Sequence, residues 1–389
     1  MFRQQIKTRA LFQQRAWVEI DHLAIVNNIR AIKQLISPNT ELMAVIKADG
    51  YGHGAVAVAR TLLNQGVSSL AIATLSEGIE LRESAIESPI IVLGSLNTIE
   101  EVEALLYWQL EPTLCNLQQA LVFSQTAHRQ KTILPVHLKI DTGMSRLGTA
   151  YENTLDFVRS VESLPALNIN SIYSHFATAD DPNPATMFIQ QSRFDKAIQA
   201  LIKDQVKIPK LHMANSAATM TDSNLHYDLV RIGLSLYGLY PAKHLQTKIS
   251  LTPALHVKAR ITQVKCIPSG TGVSYGHTFI SDKPMQIATV GIGYADGIPR
   301  SFSNQLKVLL RGKLIKQIGN ITMDQLILDV TELDNVEQGE VVTLIGSDGD
   351  LTITAQDWAE QLGTIPWEVL CGFKHRLPRV NLQEGFEKD

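Results

Sequence analysis

Residues 45 to 54, VIKADGYGHG, set a lysine at the end of an apolar run and a tyrosine in a glycine-rich turn just beyond it. The run Leu42 to Ile46 reads as a strand, so Lys47 emerges from a strand end. A primary amine enclosed there loses hydration, which disfavours its charged form and leaves a nucleophile suited to an aldehyde. Tyr51 with Gly50, Gly52 and Gly54 offers a hydroxyl and close backbone approach, which suits a phosphate-bearing ligand. A surface lysine beside an ordinary turn is the alternative. In VHLKID, Val136, Leu138 and Ile140 alternate with His137, Lys139 and Asp141, so the polar set faces one way and the apolar set the other. A buried Lys139 needs a partner, and a structural pairing with Asp141 is the plain reading. Arg231 precedes Gly233 by two residues and shares its strand face. His175 and His212 stand near other strand ends, where a lone histidine is usually a satisfied core or surface residue.

These residues need a frame, and the pattern along the chain supplies one. From Asp21 to about Leu239, eight short apolar runs alternate with helical patterns: 42–47, 69–74, 90–94, 112–115, 136–140, 170–176, 210–214 and 229–238. Asp21 caps a stretch with Leu23, Val26, Ile29 and Ile32 on one face, and Thr98 with Glu101 makes a capping box. Eight strands alternating with helices predict a (β/α)8 TIM barrel, whose chemistry sits at the C-terminal strand ends. Lys47, His175 and Asn215 all fall at such ends. After Pro241 the pattern turns to long β-rich runs, with turn signals at Arg311-Gly312 and Asp348-Gly349-Asp350 and one short helix capped at Thr354. The expected organisation is a tail and strand over 1–20 that pairs with the β domain, a barrel over 21–241, and a mostly β domain over 242–389.

Composition narrows the partners. With 389 residues, 45% hydrophobic and 19% charged, the chain reads as a soluble globular protein of two domains. A net charge of -3 without a dense basic block argues against nucleic acid. Cys115, Cys266 and Cys371 lack paired spacing, so neither a disulfide framework nor a zinc site is indicated, and a cytoplasmic setting is expected. No apolar run approaches the roughly 20 residues needed to span a bilayer. The histidines show no metal-ligand spacing, so no metal is expected. Arg3, Lys7, Arg9 and Arg15 read as a frayed basic tail without a signal-peptide core. The glycines of GIGYADG at 291–297 have the wrong spacing for a dinucleotide loop, and Tyr294 and Arg300 there are read as lining an approach to the site.

Several segments, in order, carry a family resemblance: VIKADGYGHG, HLKIDTGMSRLG at 137–148, HMANSAA at 212–218, VRIGLSLYG at 230–238, GTGVSYG at 270–276 and TMDQ at 322–325. Together they resemble the alanine racemases, barrel-type enzymes dependent on pyridoxal 5'-phosphate (PLP), with similarity running from about Trp17 to Val380. The resemblance implies that Lys47 holds PLP covalently and that Tyr51, His175 and Asn215 belong to the cofactor site. It implies that the Ser216 hydroxyl and the backbone N–H groups of Gly233 and Leu234 bind the phosphate, with Arg231 donating to the pyridine nitrogen. The family's equivalent of Lys139 is often carbamylated, an anion that orients Arg146 toward the cofactor ring; here Ser145 replaces the glycine commonest before that arginine. Lys47 and Tyr275 would be the opposed acid–base groups of a two-base racemisation of alanine, which supplies D-alanine for cell-wall peptidoglycan. Tyr275, Met323 and Asp324 would come from the second subunit of a homodimer, the Met323 backbone receiving the substrate carboxylate. His375 stands where some racemases have a phosphate-binding tyrosine. A broad-specificity or serine racemase of the same fold is the alternative function.

Overall fold

The computed structural model describes residues 14–383; Arg3, Lys7 and Arg9 of the expected tail lie outside the described residues. The chain forms two compact units, Leu23–Pro253 and a second one made of Met1–His22 with Ala254–Asp389.

The first unit is a barrel of eight parallel strands: Glu41–Val45, Ser69–Ile72, Ile90–Ser95, Glu111–Leu114, Leu134–Asp141, Leu167–Tyr173, Lys210–His212 and Leu229–Ile232. The first seven pair in order, and the eighth pairs with the first, Arg231 opposite Met43. The seventh and eighth are joined by Asp228 N–H donating to the Leu211 carbonyl (3.0 Å) and Arg231 N–H to the Ala214 carbonyl (3.0 Å), which closes the ring. The fifth strand shows why the sequence folds this way. Val136, Leu138 and Ile140 are fully buried on the apolar side of the pleat, while His137 and Lys139 on the other side are also buried. A covered barrel leaves neither face to water, so the polar residues inside it must satisfy one another.

Capping residues set the helices between strands. Thr74 with Glu77 and Thr98 with Glu101 form reciprocal capping boxes, and Asn116 and Asn215 cap the helices Leu117–Arg129 and Ser216–Thr221. The first helix, His22–Lys33, differs from its expected face. Ala24, Ile25, Asn28, Ile29 and Ile32 are buried, whereas Leu23 is exposed. The Asn28 amide explains the rotation, because it donates to the carbonyls of Leu236 (3.1 Å) and Thr252 (2.8 Å) and accepts the Thr252 N–H, a set available only when that face turns inward.

The second unit is built on antiparallel strands. Leu255–Ile267 pairs with Met285–Val290 on one side and Ala16–Ile20 on another, and it also pairs with Val341–Asp348. Through Lys307–Leu310, Lys313–Ile318 and Leu326–Asp329 the sheet returns to Met285–Val290, so six strands form a closed ring. Arg311-Gly312 turns one hairpin and Gly349-Asp350 another. Two helices follow where one was expected: Ala355–Leu362, capped by Thr354, and Pro366–Gly372, whose proline at the first turn suits a helix start. Among the described residues no helix is long and apolar enough to cross a membrane.

Candidate active site

The first barrel strand stops at Val45, and the chain then makes a left-handed turn. Ala48, Asp49, Gly50 and Tyr51 have φ of 54°, 53°, 61° and 54°. L-residues avoid this region, at roughly 1–2 kcal/mol each, so Ala48, Asp49 and Tyr51 around Gly50 require external restraint. The restraints are specific. Gly50 N–H donates to the Ile46 carbonyl (2.8 Å), Gly52 N–H to Ala48 (3.0 Å) and Gly54 N–H to Asp49 (2.9 Å). Asp49 Oδ1 accepts the Ala55 N–H (2.8 Å) at the start of the helix Ala55–Asn64, and Glu77 Oε1 accepts the Ala48 N–H (2.7 Å). Lys47, half-buried, is thereby held at the strand end, and its charge contributes to lowering the pKa of His175.

Across the mouth, the eighth strand ends at Ile232, so Gly233 and Leu234 lie just beyond it and not within it as the sequence suggested; the 3-10 turn Leu234–Tyr237 begins there. Gly233 N–H donates to Ser216 Oγ at 3.1 Å, and a methyl group at Gly233 would come within 2.8 Å of Tyr51 Oη. The Ser216 and Tyr51 hydroxyls therefore converge on the Gly233 backbone, an approach so close that only glycine permits it. A neutral set of hydroxyls and backbone amides suits a phosphate. Tyr51 packs against Tyr237 with ring centroids 5.1 Å apart, which fixes its direction.

Arg231 occupies the interior between these ends. It is buried, and burial lowers its pKa to about 10, which still leaves the guanidinium charged near neutrality. Nη2 donates to the carbonyls of Ser174 (2.8 Å) and Met213 (3.1 Å) and to His175 Nδ1 (2.9 Å), and Nη1 donates to His212 Nδ1 (2.8 Å). A guanidinium has donors only, so both histidines accept on Nδ1 and carry their proton on Nε2. Burial first, then Arg231, keeps both imidazoles well below the usual histidine range, hence neutral. The hydrogen-bond network around Arg231 thus takes in His175 and His212 as direct partners.

Lys139 is buried above the Tyr173 ring, its Nζ 4.3 Å from the centroid. Desolvation, then Arg231 and Arg146, hold its amine far below the ordinary lysine range. The expected pairing with Asp141 is replaced by another use of that carboxylate. Asp141 Oδ1 accepts the N–H groups of Gly143 (2.9 Å), Met144 (3.1 Å) and Ser145 (3.1 Å), organising the loop that carries the exposed Arg146. Ser145 has φ of 57°, the left-handed region, which explains why a glycine is natural at that position. Gly148, at φ 116°, lets the same loop pass against Lys139, since a Cβ there would lie 2.9 Å from Lys139 Cγ.

A second cluster lies in the β-rich unit. Tyr275 is 75% exposed in a 3-10 turn, its carbonyl accepting from Asn320 Nδ2 at 2.7 Å, so it is not a packed strand aromatic. Met323 is exposed, and its carbonyl accepts the Ala295 N–H (3.1 Å) while Tyr294 N–H donates to Thr322 (3.0 Å). Asp324 receives Arg376 Nη2 at 2.7 Å. Arg376 also approaches the buried Asp296 (3.5 Å), which Arg15 grips through both oxygens (2.8 and 2.7 Å). His375 is exposed in the turn beside Arg376, and Arg300 is exposed as well. The GIGYADG segment therefore places Asp296 as the anchor of an ion-pair chain that ends on Asp324. Sequence reading missed Glu77, Asp49, Arg376 and Asp296. Only Glu77 left a trace, as the fourth residue of TLSE after the second strand.

Comparison with known proteins bears on both units. Residues 20–241 match the family model "Alanine racemase, N-terminal domain", and residues 254–381 match "Alanine racemase, C-terminal domain". An alanine racemase of Synechocystis sp. is 59% identical over 370 residues, 95% of this chain and 100% of that protein. Among solved structures, an alanine racemase of Clostridium difficile 630 superposes with a TM-score of 0.91 at 34% identity, covering 95% of this chain and 96% of that one. An alanine racemase from Bartonella henselae, described with covalently bound pyridoxal phosphate, gives a TM-score of 0.83 at 30% identity, covering 95% of this chain and 100% of that one.

Proposed function

The chain belongs to the alanine racemase family, and from that premise we propose how it interconverts L-alanine and D-alanine with PLP: Lys47 Nζ and Tyr275 Oη are the two acid–base groups. The residues fit the cofactor. The observation that carries this is the convergence of Ser216 Oγ and Tyr51 Oη on the Gly233 backbone, so close that an added methyl would meet the Tyr51 hydroxyl at 2.8 Å; such neutral hydroxyls and amides suit a phosphate. Ser216, Tyr51 and the backbone of Gly233 and Leu234 hold that phosphate, with Asn215 fixing the helix start beside it. When bound, PLP supplies an aldehyde that condenses with amines and a ring that takes up the electron pair left when the α-proton departs.

The protein's residues do the rest. Lys47 Nζ takes or returns the α-proton on one face, and Tyr275 Oη serves the opposite face, each direction of the reaction using both. Arg231 would donate to the pyridine nitrogen, and His175 would line the ring. A guanidinium holds its own proton near neutrality, even with its pKa brought down to about 10, so Arg231 would give that nitrogen a hydrogen bond without surrendering a proton, which would keep the ring's electron withdrawal moderate. Arg146 and the Met323 backbone N–H bind the substrate carboxylate, and Asp324, fixed by Arg376, holds that segment in place. His375, beside Arg376, is a donor toward the phosphate.

Lys139 carries a carbamate. Burial and two neighbouring arginines disfavour its ammonium, and the neutral amine is the form that adds carbon dioxide, releasing a proton as the N–C bond forms. The resulting anion suits the same two arginines. The working unit is a two-fold homodimer in which Tyr275, Met323 and Asp324 complete the partner's site. Exposure of a large aromatic and a methionine, at 75% and 52%, supports that reading, since such residues anchor interfaces. The enzyme works in the cytoplasm and supplies D-alanine for peptidoglycan.

Borohydride reduction followed by peptide mapping tests the Lys47 assignment, a pyridoxyl group on any other lysine overturning it. Mixing inactive Lys47→Ala and Tyr275→Ala subunits tests the shared sites. Some activity should return, because some mixed dimers hold one intact site, whereas full activity in a monomeric species refutes the arrangement.

A further inference from the structure

Arg231 is the last group of a longer chain that crosses the barrel interior. His212 Nδ1 accepts from Arg231, and its Nε2 lies 2.8 Å from Ser171 Oγ. Ser171 Oγ lies 2.6 Å from His137 Nδ1, and His137 Nε2 lies 2.7 Å from Glu111 Oε2. Glu111 is the first residue of the fourth strand, so it stands at the opposite end of the barrel from Lys47. Its carboxylate also receives Asn170 Nδ2 at 3.2 Å. Ser171, His137, His212 and Arg231 are all buried.

Only one direction of donation satisfies every member. Arg231 can only donate, so His212 must carry its proton on Nε2 and give it to Ser171. The Ser171 hydroxyl, accepting from His212, then gives its own proton to His137 Nδ1. His137 in turn carries its proton on Nε2 and requires an acceptor there, which Glu111 provides. The chain thus runs from a cation through three neutral groups to a carboxylate. Glu111 is held below the usual carboxylate range: burial, the largest single influence, works against this, and His137, Asn170 and Arg82 together outweigh it. His212 has little freedom to turn, since it stacks on Tyr173 at 4.8 Å with an interplanar angle of 3°.

We infer that Glu111, His137 and Ser171 form a directional relay that fixes the tautomer of His212 and, through it, the orientation of the Arg231 guanidinium in the site. They are positioning residues, touching neither substrate nor cofactor. The inference rests on the reading of Arg231 as the partner of the cofactor ring. Hydrogen bonds aligned head to tail polarise one another, so the carboxylate acts on Arg231 over a distance at which its direct field is weak.

The test is solid-state 15N NMR of the histidine-labelled holoenzyme, with resonances assigned through His137→Asn and His212→Asn, beside steady-state kinetics. In the wild type both His137 and His212 should be neutral with the proton on Nε2. Glu111→Gln still accepts through its amide oxygen and should keep both tautomers, with kcat within about 3-fold of wild type. Glu111→Leu removes the acceptor. A population of His137 protonated on Nδ1 should appear and kcat should fall about 10-fold with KM nearly unchanged, inside the ~100-fold that a distant misplacement can cost. His212 protonated on Nδ1 in the wild type overturns the relay, as does a Glu111→Leu enzyme with wild-type tautomers and kcat. Absence of alanine racemisation by the wild type refutes the functional reading instead, leaving the tautomer result to stand by itself.

Discussion

Replacing Glu77 with glutamine keeps the side chain's shape and removes one acceptor. In the native protein Oε1 accepts the Ala48 N–H at 2.7 Å, while Oε2 accepts the N–H groups of Ala73 (2.7 Å) and Thr74 (3.1 Å). An amide has one oxygen, so either the turn after Lys47 or the cap of the helix Leu75–Glu83 loses its partner. Hydrogen bonds to a charged group contribute about 1.5–3 kcal/mol, and half-burial of Glu77 reduces this to roughly 1–2 kcal/mol net. The turn itself holds about 3–6 kcal/mol of backbone strain in Ala48, Asp49 and Tyr51, so loosening one restraint releases Lys47 before it unfolds the barrel. Stability should fall by about 2–8 °C in Tm, whereas kcat should fall about 10- to 100-fold because the amine leaves its productive position. Glu101→Gln is the control. Glu101 Oε2 accepts Asn97 (2.7 Å) and Thr98 (2.9 Å) N–H groups in an equivalent capping box, but no bond runs from it to the Lys47 turn. Calorimetry and racemisation assays should show losses of both Tm and kcat in Glu77→Gln and little loss of either in Glu101→Gln, whose single amide oxygen can keep both cap bonds. Equal, small effects on kcat in both would refute the claim that Glu77 restrains the catalytic lysine.

Two further outcomes follow from the geometry. Gly233→Ala places a methyl 2.8 Å from Tyr51 Oη and should weaken PLP binding by at least about 10-fold, read by fluorescence titration, with little change in Tm because half-buried Tyr51 can shift; wild-type affinity would remove Gly233 from the phosphate site. His175 and His212 have folded pKa values depressed below their unfolded value of about 6.5, so the unfolded state binds more protons. Their stabilisation is full above about pH 6.5 and lost as pH falls below it. Burial first and then the Arg231 charge depress His212, and His212→Asn should flatten part of the fall in Tm between about pH 6.5 and 4.5; an unchanged slope would mean that His212 does not titrate on unfolding.

The barrel was legible because its strands are short apolar runs between capped helices, and VHLKID announced a polar interior through strict alternation. Capping boxes at Thr98 and Thr354 were legible for the same local reason, that the partner lies three residues away. What could not be read depends on contacts between distant positions or on dihedral sign. The left-handed turn after Lys47 contains two ordinary non-glycine residues, Ala48 and Tyr51, whose φ is dictated by bonds from Glu77, Ile46 and Asp49 and by no propensity of their own. The Glu111 relay draws one residue from each of five strands, separated by up to 120 positions. Parallel register sets His137 beside both Thr113 and Ser171, a neighbourhood invisible before the strands are paired.

Charge explains why such a relay is worth its burial. Around the mouth of the barrel the groups acting on Lys139 are mainly cations: Arg231 and Arg146 lower its pKa, and Asp141, the only carboxylate among them, is last in effect because it is spent on the loop. Among the described residues, the carboxylate joined to Arg231 by hydrogen bonds is Glu111, three groups away. A carboxylate placed directly against Arg231 would compete with anionic ligands for the same donors. Setting the compensating anion at the far end of the barrel keeps the interior neutral as a whole while the mouth stays positive. Under the proposed function that imbalance suits anions: the phosphate assigned to Ser216 and Gly233, the carboxylate assigned to Arg146, and the carbamate proposed on Lys139.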